Sequence, residues 1–452
     1  MIKELSLSNF KSWKTIPNMR LAPITGLFGT NSSGKTSILQ LLLLLKQTVE
    51  SPDRAQSLFF GDEKYPVNLG TFQDIIFGHS LPGQLSWKLR WKLPSKLEIK
   101  DPSNPLEILL QGDELVFSAD IEGEAERINV QKMSYQFGSN QFIMLKKRSA
   151  GNKYDLKSEG TKFKFIRTLG RAWPLPVPIK CYGFPDQVKA YFQNAGFLSD
   201  FQLAFEELFG RIYYLGPLRE FPKRQYTWAG SEPTDMGQRG ERVVDALMAS
   251  RRRGKTISMG KGSPRHSLEE HVAYWLKKLG LVSDFLVESI SKESNLYRVL
   301  VQKSKTSAKV LITDVGFGVS QILPALVLCF YVPEGSIILL EQPEIHLHPS
   351  VQAGLADVFI DAVKRRNVQI IFESHSEHLL RRLQRRIAEE QFSHNSTALY
   401  FCEMKEEHST ASPLELDLFG NIVNWPKEFF GDEFGEMAAT TRAVLERKKN
   451  GE

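Results

Sequence analysis

Polar and apolar residues alternate from Ile2 to Phe10, the period of a half-buried strand. Ile24-Thr25-Gly26-Leu27-Phe28 lacks polar alternation and predicts a buried strand, covered on both faces. Thr36 to Val49 has the apolar density of a buried-face helix. Between Leu85 and Phe165 the period of two returns in short segments, Leu85-Ser86-Trp87-Lys88-Leu89-Arg90-Trp91 and Lys162-Phe163-Lys164-Phe165 among them, broken by Pro and Gly. Such a stretch predicts an antiparallel β insertion. A helical pattern follows from Pro185 to Gly210, then the strand Arg211 to Leu215, a helix from Leu268 to Leu279, and strands Tyr297 to Gln302 and Lys309 to Ile312. The last third is in α/β order: helix Ser320–Tyr331, strand Ile337–Leu340, helix Ser350–Val363, strand Val368–Phe372, helix Glu377–Glu390. No heptad pattern persists between the first glycine loop and residue 310, so no long coiled-coil arm is expected.

These changes of period divide the 452 residues into five parts. They are an N-terminal lobe (1–84), a β-rich then helical insertion (85–210), a middle helical and strand lobe with a basic loop (211–310), a C-terminal α/β lobe (311–402) and a tail (403–452). Cys181, Cys329 and Cys402 show no Cys-x-x-Cys spacing, which offers neither a disulfide framework nor a zinc ribbon and suits a reducing, cytoplasmic setting. No apolar run reaches the roughly 18 residues a membrane span requires, so no membrane association is expected. The formal net charge of +6 permits nucleic-acid contact without demanding it. Two basic clusters, Arg251-Arg252-Arg253-Gly254-Lys255 and the helical Arg381, Arg382, Arg385 and Arg386, read either as solvated surface or as phosphate-facing patches.

The chemistry starts at Gly29-Thr30-Asn31-Ser32-Ser33-Gly34-Lys35-Thr36-Ser37, which lies between a predicted buried strand and a predicted helix. That is the context of a phosphate-binding loop: glycines let backbone N–H groups close on phosphate oxygens, Lys35 reaches the terminal phosphates, and the Thr36 hydroxyl can ligate Mg²⁺. The cofactors expected are therefore ATP and Mg²⁺. The matching acidic half is Ile337-Ile338-Leu339-Leu340-Glu341, whose strand-end carboxylate is placed to bind Mg²⁺ through water. Gln342 and Glu344 follow it. His346 and His348 share a His-x-His spacing with no further ligand partner, a weak basis for zinc.

With these motifs stand Asn9-Phe10-Lys11-Ser12, Leu215-Gly216-Pro217-Leu218-Arg219, Asp314-Val315-Gly316-Phe317-Gly318-Val319-Ser320-Gln321, the block Glu341 to Pro349, Glu373-Ser374-His375-Ser376, and the tail Asn424 to Asp432. Together they resemble the ABC-type ATPases of the SMC, RecF and overcoming-lysogenization-defect group, and most closely a short prokaryotic branch with phage-defence relatives. The resemblance covers both ends of the chain well and the β insertion poorly. It implies an α/β ATPase head with its insertion between phosphate loop and signature motif. It also implies a homodimer or higher oligomer, in which the signature loop of one head (Gly316, Gly318, Ser320, Gln321) caps nucleotide held by the other. His375 would be the switch histidine, Gln73 the Mg²⁺-contacting glutamine, and Arg219 a motif residue that reaches phosphate or pins a loop. The Gly and Ser order departs from the transporter signature Leu-Ser-Gly-Gly-Gln.

One departure bears on mechanism. Most members of the wider class end the strand with Asp then Glu, the Glu polarising the attacking water, whereas here Gln342 follows Glu341. Gln cannot accept a proton as a carboxylate does. Either Glu344 takes over or hydrolysis is slow and an ATP-bound clamp persists, and the second is the expectation adopted. Three biological roles follow: a switch acting on DNA or on a separately encoded nuclease or toxin in a defence system, a RecF-like repair or maintenance ATPase, and, last, a transporter ATPase subunit. The aromatic tail, with Phe419 and Trp425, is expected to lock onto the core.

Overall fold

The computed structural model describes residues 1–100, 106–124, 127–147, 151–160, 163–170, 173–260, 262–291, 294–426, 429 and 439–445. In chain order the strands are β1 (Ile2–Phe10), β2 (Trp13–Arg20), β3 (Ile24–Gly29), β4 (Gly83–Lys100), β5 (Ile108–Gly123), β6 (Ile128–Phe137), β7 (Asn140–Lys146), β8 (Tyr154–Glu159), β9 (Ile212–Leu215), β10 (Tyr226–Thr227), β11 (Thr256–Ile257), β12 (His266–Ser267), β13 (Asp284–Ser289), β14 (Leu296–Gln302), β15 (Lys309–Leu311), β16 (Ile337–Glu341), β17 (Gln369–Glu373), β18 (Thr397–Lys405) and β19 (His408–Leu414). The helices are α1 (Lys35–Glu50), α2 (Phe72–Ile75), α3 (Gln187–Tyr191), α4 (Leu198–Gly210), α5 (Val243–Arg253), α6 (Leu268–Lys278), α7 (Gly318–Tyr331), α8 (Pro349–Arg366) and α9 (Glu377–Ala388).

A mixed α/β head results. Its central sheet has the order β19-β18-β3-β17-β16-β9, parallel from β18 to β9 with β19 antiparallel at one edge. β3, β16 and β17 are buried at every position, because both faces are covered. Alternate residues enter two different cores: Leu27, Ile337, Leu339 and Ile371 face one, and Phe28, Ile338, Leu340, Ile370 and Phe372 the other. Helices α5 to α9 supply the second core, and Phe429 of the tail closes it edge-on against Phe28 and Phe401.

The first core lies between α1 and a seven-stranded antiparallel sheet ordered β2-β1-β4-β5-β6-β7-β8. Leu85, Trp87, Leu89, Trp91 and Leu93 of β4 point inward in strict alternation. Helix α4 lies on this face, with Phe205 against Trp91 and Phe117, and Phe201 against Tyr135, Phe137 and Phe142. The sheet runs through the division at 84/85: β1 and β2, from the N-terminal lobe, hydrogen-bond into it beside β4. The half-buried first strand thus lies inside the insertion's sheet, between β2 and β4, while the nucleotide loop belongs to the other sheet.

Three local expectations differ from the fold. Phe419 of the tail is 72 % exposed and does not lock onto the core, where Phe429 packs instead. The helical stretch from Pro185 is two helices, α3 and α4, separated around Gly196. Phe163 and Phe165 form no strand; their rings pack on Phe142 and Phe197, and the Phe163 carbonyl accepts from Ser158 Oγ. Lys162 lies outside the described residues, as do Lys427, Glu428 and 430–432 of the tail motif. Among the described residues no helix is long and apolar enough to cross a membrane, and all three cysteines are free and buried.

Candidate nucleotide site

Four adjacent parallel strands, β3, β17, β16 and β9, bring their C-terminal ends together, and each contributes polar groups to one site. β3 ends in the glycine loop. Gly29 has φ 136° and a Cβ there would lie 1.8 Å from the Cys402 carbonyl oxygen, so only glycine fits between loop and β18. Gly34 has φ 84° and caps α1 in the left-handed region; a Cβ would meet Ser12 Oγ and Ser409 Oγ, each at 2.6 Å. Buried Trp13 braces this turn by donating from Nε1 to the Gly34 carbonyl at 2.9 Å.

Lys35 folds its ammonium into the loop, donating to the carbonyls of Gly29 (3.2 Å) and Thr30 (2.6 Å) and to Ser33 Oγ (3.3 Å). Burial lowers its pKa, opposed by the charges of Glu373 and Glu344. The loop carbonyls thus hold in place a cation able to turn to phosphate. Asn31 and Ser32 are exposed at the loop tip, and Ser37 is buried in the first turn of α1.

Thr36 Oγ1 donates to Glu373 Oε2 at 2.6 Å. Glu373 is the last residue of β17, 2 % exposed, and lies directly opposite Glu341 in the parallel register. Sequence reading passed over it. It belongs to the motif that carries His375, and the signal available in the sequence is a carboxylate closing the apolar run Ile370-Ile371-Phe372. Glu341 accepts from Tyr214 Oη at 2.8 Å, and burial, reinforced by the neighbouring Glu373 charge, pushes its pKa up to about 7. Glu344 is likewise buried and raised by burial; its Oε1 accepts the His375 backbone N–H at 2.7 Å. His375 is lowered, by burial first and by Lys35 second, which keeps the imidazole neutral near pH 7. Gln342 adopts φ 42° and donates its N–H to the Glu373 carbonyl at 3.1 Å.

The site therefore gathers Lys35, Thr36, Glu341, Glu344, Glu373 and His375. Gln73 stands apart: it is exposed on α2, its Nε2 donates to the His79 carbonyl at 3.1 Å, and it forms no hydrogen bond with Thr36 or Glu341. The loop from Gly316 to Gln321 is also separate. Ser320 Oγ and the Gln321 N–H turn back to the Phe317 carbonyl, and none of the loop's hydrogen bonds reaches residues 29–37. Exposed Phe317 sits between Phe221 and His346. His348 caps α8 through Ser350. Among the described residues no cluster of His, Cys, Asp and Glu forms a metal-binding group by itself.

The residues present fit Mg·ATP: a loop only glycines can close, a buried ammonium held by carbonyls, and hydroxyl and carboxylate oxygens of the hard-donor type Mg²⁺ prefers. Most arginines of the basic clusters, by contrast, have an acidic partner. Arg251 pairs with Glu269 and Arg253 with Glu232, while Arg252 lies over the Trp228 ring. Arg381 pairs with Glu377, Arg382 with Asp357, Arg385 with Glu389, and Arg386 with Asp357 and Glu389.

Residues 253–381 match a family model described as "AAA domain, putative AbiEii toxin, Type IV TA system", and residues 392–439 match "Protein of unknown function (DUF3696)". No curated protein matches the chain. Solved structures similar to it include the SMC head domain from Thermotoga maritima, at 12 % identity over 92 % of this chain and 99 % of that one, TM-score 0.42. An SMC head bound to the C-terminal winged-helix domain of ScpA is 12 % identical over 92 % and 98 %, TM-score 0.45. The Pyrococcus furiosus SMC head with an extended coiled coil, bound to the C-terminal domain of ScpA, is 10 % identical over 92 % and 96 %, TM-score 0.45. The AAA-domain match, together with the strand-loop-helix geometry, supports an ATP-binding ATPase.

Proposed function

We propose that the chain is a Mg·ATP-dependent switch: an ATPase head that binds nucleotide tightly, hydrolyses it slowly and, in its ATP-bound dimer, controls a separately encoded effector protein. The observation that carries this is the convergence of Lys35, Thr36, Glu341 and Glu373 at the ends of three neighbouring strands. Thr36, Glu341 and Glu373 are the residues that would hold Mg²⁺, which when bound neutralises phosphate charge. Lys35 holds the phosphate chain, and His375, neutral, is a donor for its terminal end. Slow turnover follows from Gln342, which stands where a water-activating carboxylate is expected, while Glu344 is engaged with the His375 backbone.

A protein effector is favoured over DNA because the two arginine clusters already have acidic or aromatic partners within the chain. An arginine paired with a carboxylate presents less net positive charge to phosphate, and so adds less to DNA affinity. The AAA-domain family's description, which names a putative toxin and a type IV TA system, is in keeping with a role in such a system. The test is Mg·ATP binding and turnover by the purified protein, with and without single- and double-stranded DNA, Lys35→Ala serving as the blank. Tight binding with slow, DNA-insensitive turnover is expected; turnover that rises severalfold with DNA would replace the effector reading by a DNA-transaction one.

A further inference from the structure

β9 ends at Leu215, and the loop after it carries Arg219, which is 7 % exposed. A guanidinium has five N–H donors and is always charged, so burying it without acceptors is strongly unfavourable. Yet Nε, Nη1 and Nη2 of Arg219 are all shielded from solvent and have no hydrogen-bond partner among the described residues. The chain treats another poorly exposed arginine differently: Arg386 grips Asp357 with Nε and Nη2, at 2.5 and 3.0 Å to the two carboxylate oxygens. What surrounds Arg219 electrostatically is the nucleotide site itself, namely Tyr214, Glu341 and Glu344. Those neighbours have other engagements: Glu341 Oε1 takes the Tyr214 hydroxyl, and Glu344 Oε1 takes the His375 N–H. Glu344 Oε2, like the guanidinium, is buried with no hydrogen bond of good geometry among the described residues, the Ser374 hydroxyl being a neighbouring donor. A fork of donors and a lone acceptor therefore border the same site, and neither is satisfied among the described residues.

We infer that Arg219 is an anion-binding residue of the nucleotide site, whose planar fork donates to the oxygens of a terminal phosphoryl group. Phosphate geometry suits that fork, and the ligand's charge supplies the acceptors that the chain withholds. The source is either the γ-phosphate of ATP or inorganic phosphate left after hydrolysis. With Lys35 at one flank and Arg219 at the other, the site reads the length of the phosphate chain. The inference rests on the nucleotide reading above and adds a residue that distinguishes ATP from ADP.

The test is calorimetric binding of ATP, ADP and inorganic phosphate, in Mg²⁺, to wild type, Arg219→Ala, Arg219→Lys and Lys35→Ala. Wild type is expected to prefer ATP to ADP, and Arg219→Ala to weaken ATP roughly ten- to hundred-fold while leaving ADP within about twofold. Arg219→Lys, which keeps the charge and loses the fork, should fall between them. If instead ATP and ADP are unaffected but ADP-loaded Arg219→Ala loses phosphate binding that ADP-loaded wild type shows, the ligand is the released phosphate. Equal weakening of ATP and ADP, no change in any of the three, or a wild type without preference for ATP and without phosphate binding would overturn the inference. Failure of the nucleotide reading looks different: wild type and Lys35→Ala would then be alike in binding no nucleotide. Wild-type discrimination needs no variant to fold, so a collapsed Arg219→Ala protein does not shelter the idea.

Discussion

At Glu341 a carboxylate is buried beside a second one, Glu373, and its pKa stands at about 7 in the fold against the ordinary 4.5. Because the folded state holds this proton more tightly than the unfolded chain, raising pH from about 4.5 to about 7 costs stability, and the loss is complete above that window. Glu341→Gln mimics the protonated form. In thermal melts without nucleotide it should be more stable than wild type at pH 8, by roughly 2–4 kcal/mol at full effect, with the gap closing toward pH 4.5. Mg·ATP should raise the melting temperature of wild type and not of the variant. A variant no more stable at pH 8 than wild type would mean that Glu341 is not the strained group. Gln342→Glu addresses the neighbouring position: turnover should rise by roughly ten- to a hundred-fold if a missing base limits the rate. Unchanged turnover there, with activity abolished by Glu344→Gln, would assign the role to Glu344.

At the scale of elements, the glycine loop was legible because its constraints are local: strand, turn and helix succeed one another, and Gly29 and Gly34 sit where φ is positive. The ends of β16 and β17 were legible as carboxylate-ended apolar runs, yet only Glu341 was read as functional. Nothing in the string says that Glu373 would lie opposite Glu341 and within reach of Thr36, since that depends on the order β3-β17-β16, which is non-sequential. Trp13 was hidden for the same reason. It follows a motif on β1, but what it supports, the Gly34 carbonyl, is reached only when β2 doubles back beside the loop. Trp13→Phe retains most of the buried ring and deletes one hydrogen bond, so stability should fall by about 1 kcal/mol. ATP affinity should fall with it, since a loosened Gly34 turn misplaces Lys35. Affinity equal to wild type in a destabilised variant would show that the brace serves the core alone.

Across the whole molecule, the loop Gly316 to Gln321 starts a buried helix yet makes no hydrogen bond with the phosphate loop, and its own exposed Phe317 packs on exposed Phe221. A motif that acts on nucleotide from such a place has to act on the nucleotide of another copy, which a two-fold head-to-head dimer allows. Lys35→Ala disables the loop and Ser320→Arg disables the signature, so either homodimer carries two defective sites. In a mixed dimer both lesions fall into one site and the other is intact. Half the dimers in an equal mixture are mixed, so turnover should recover to about a quarter of the wild-type rate although neither variant turns over alone. The ratio is taken against whatever rate wild type shows, so slow hydrolysis does not blunt the experiment. Recovery makes the site shared between two chains. Persistent inactivity, in a mixture shown by mass to contain mixed dimers, would place Ser320 and Lys35 in the same site of one chain and remove the reason for an ATP-dependent clamp.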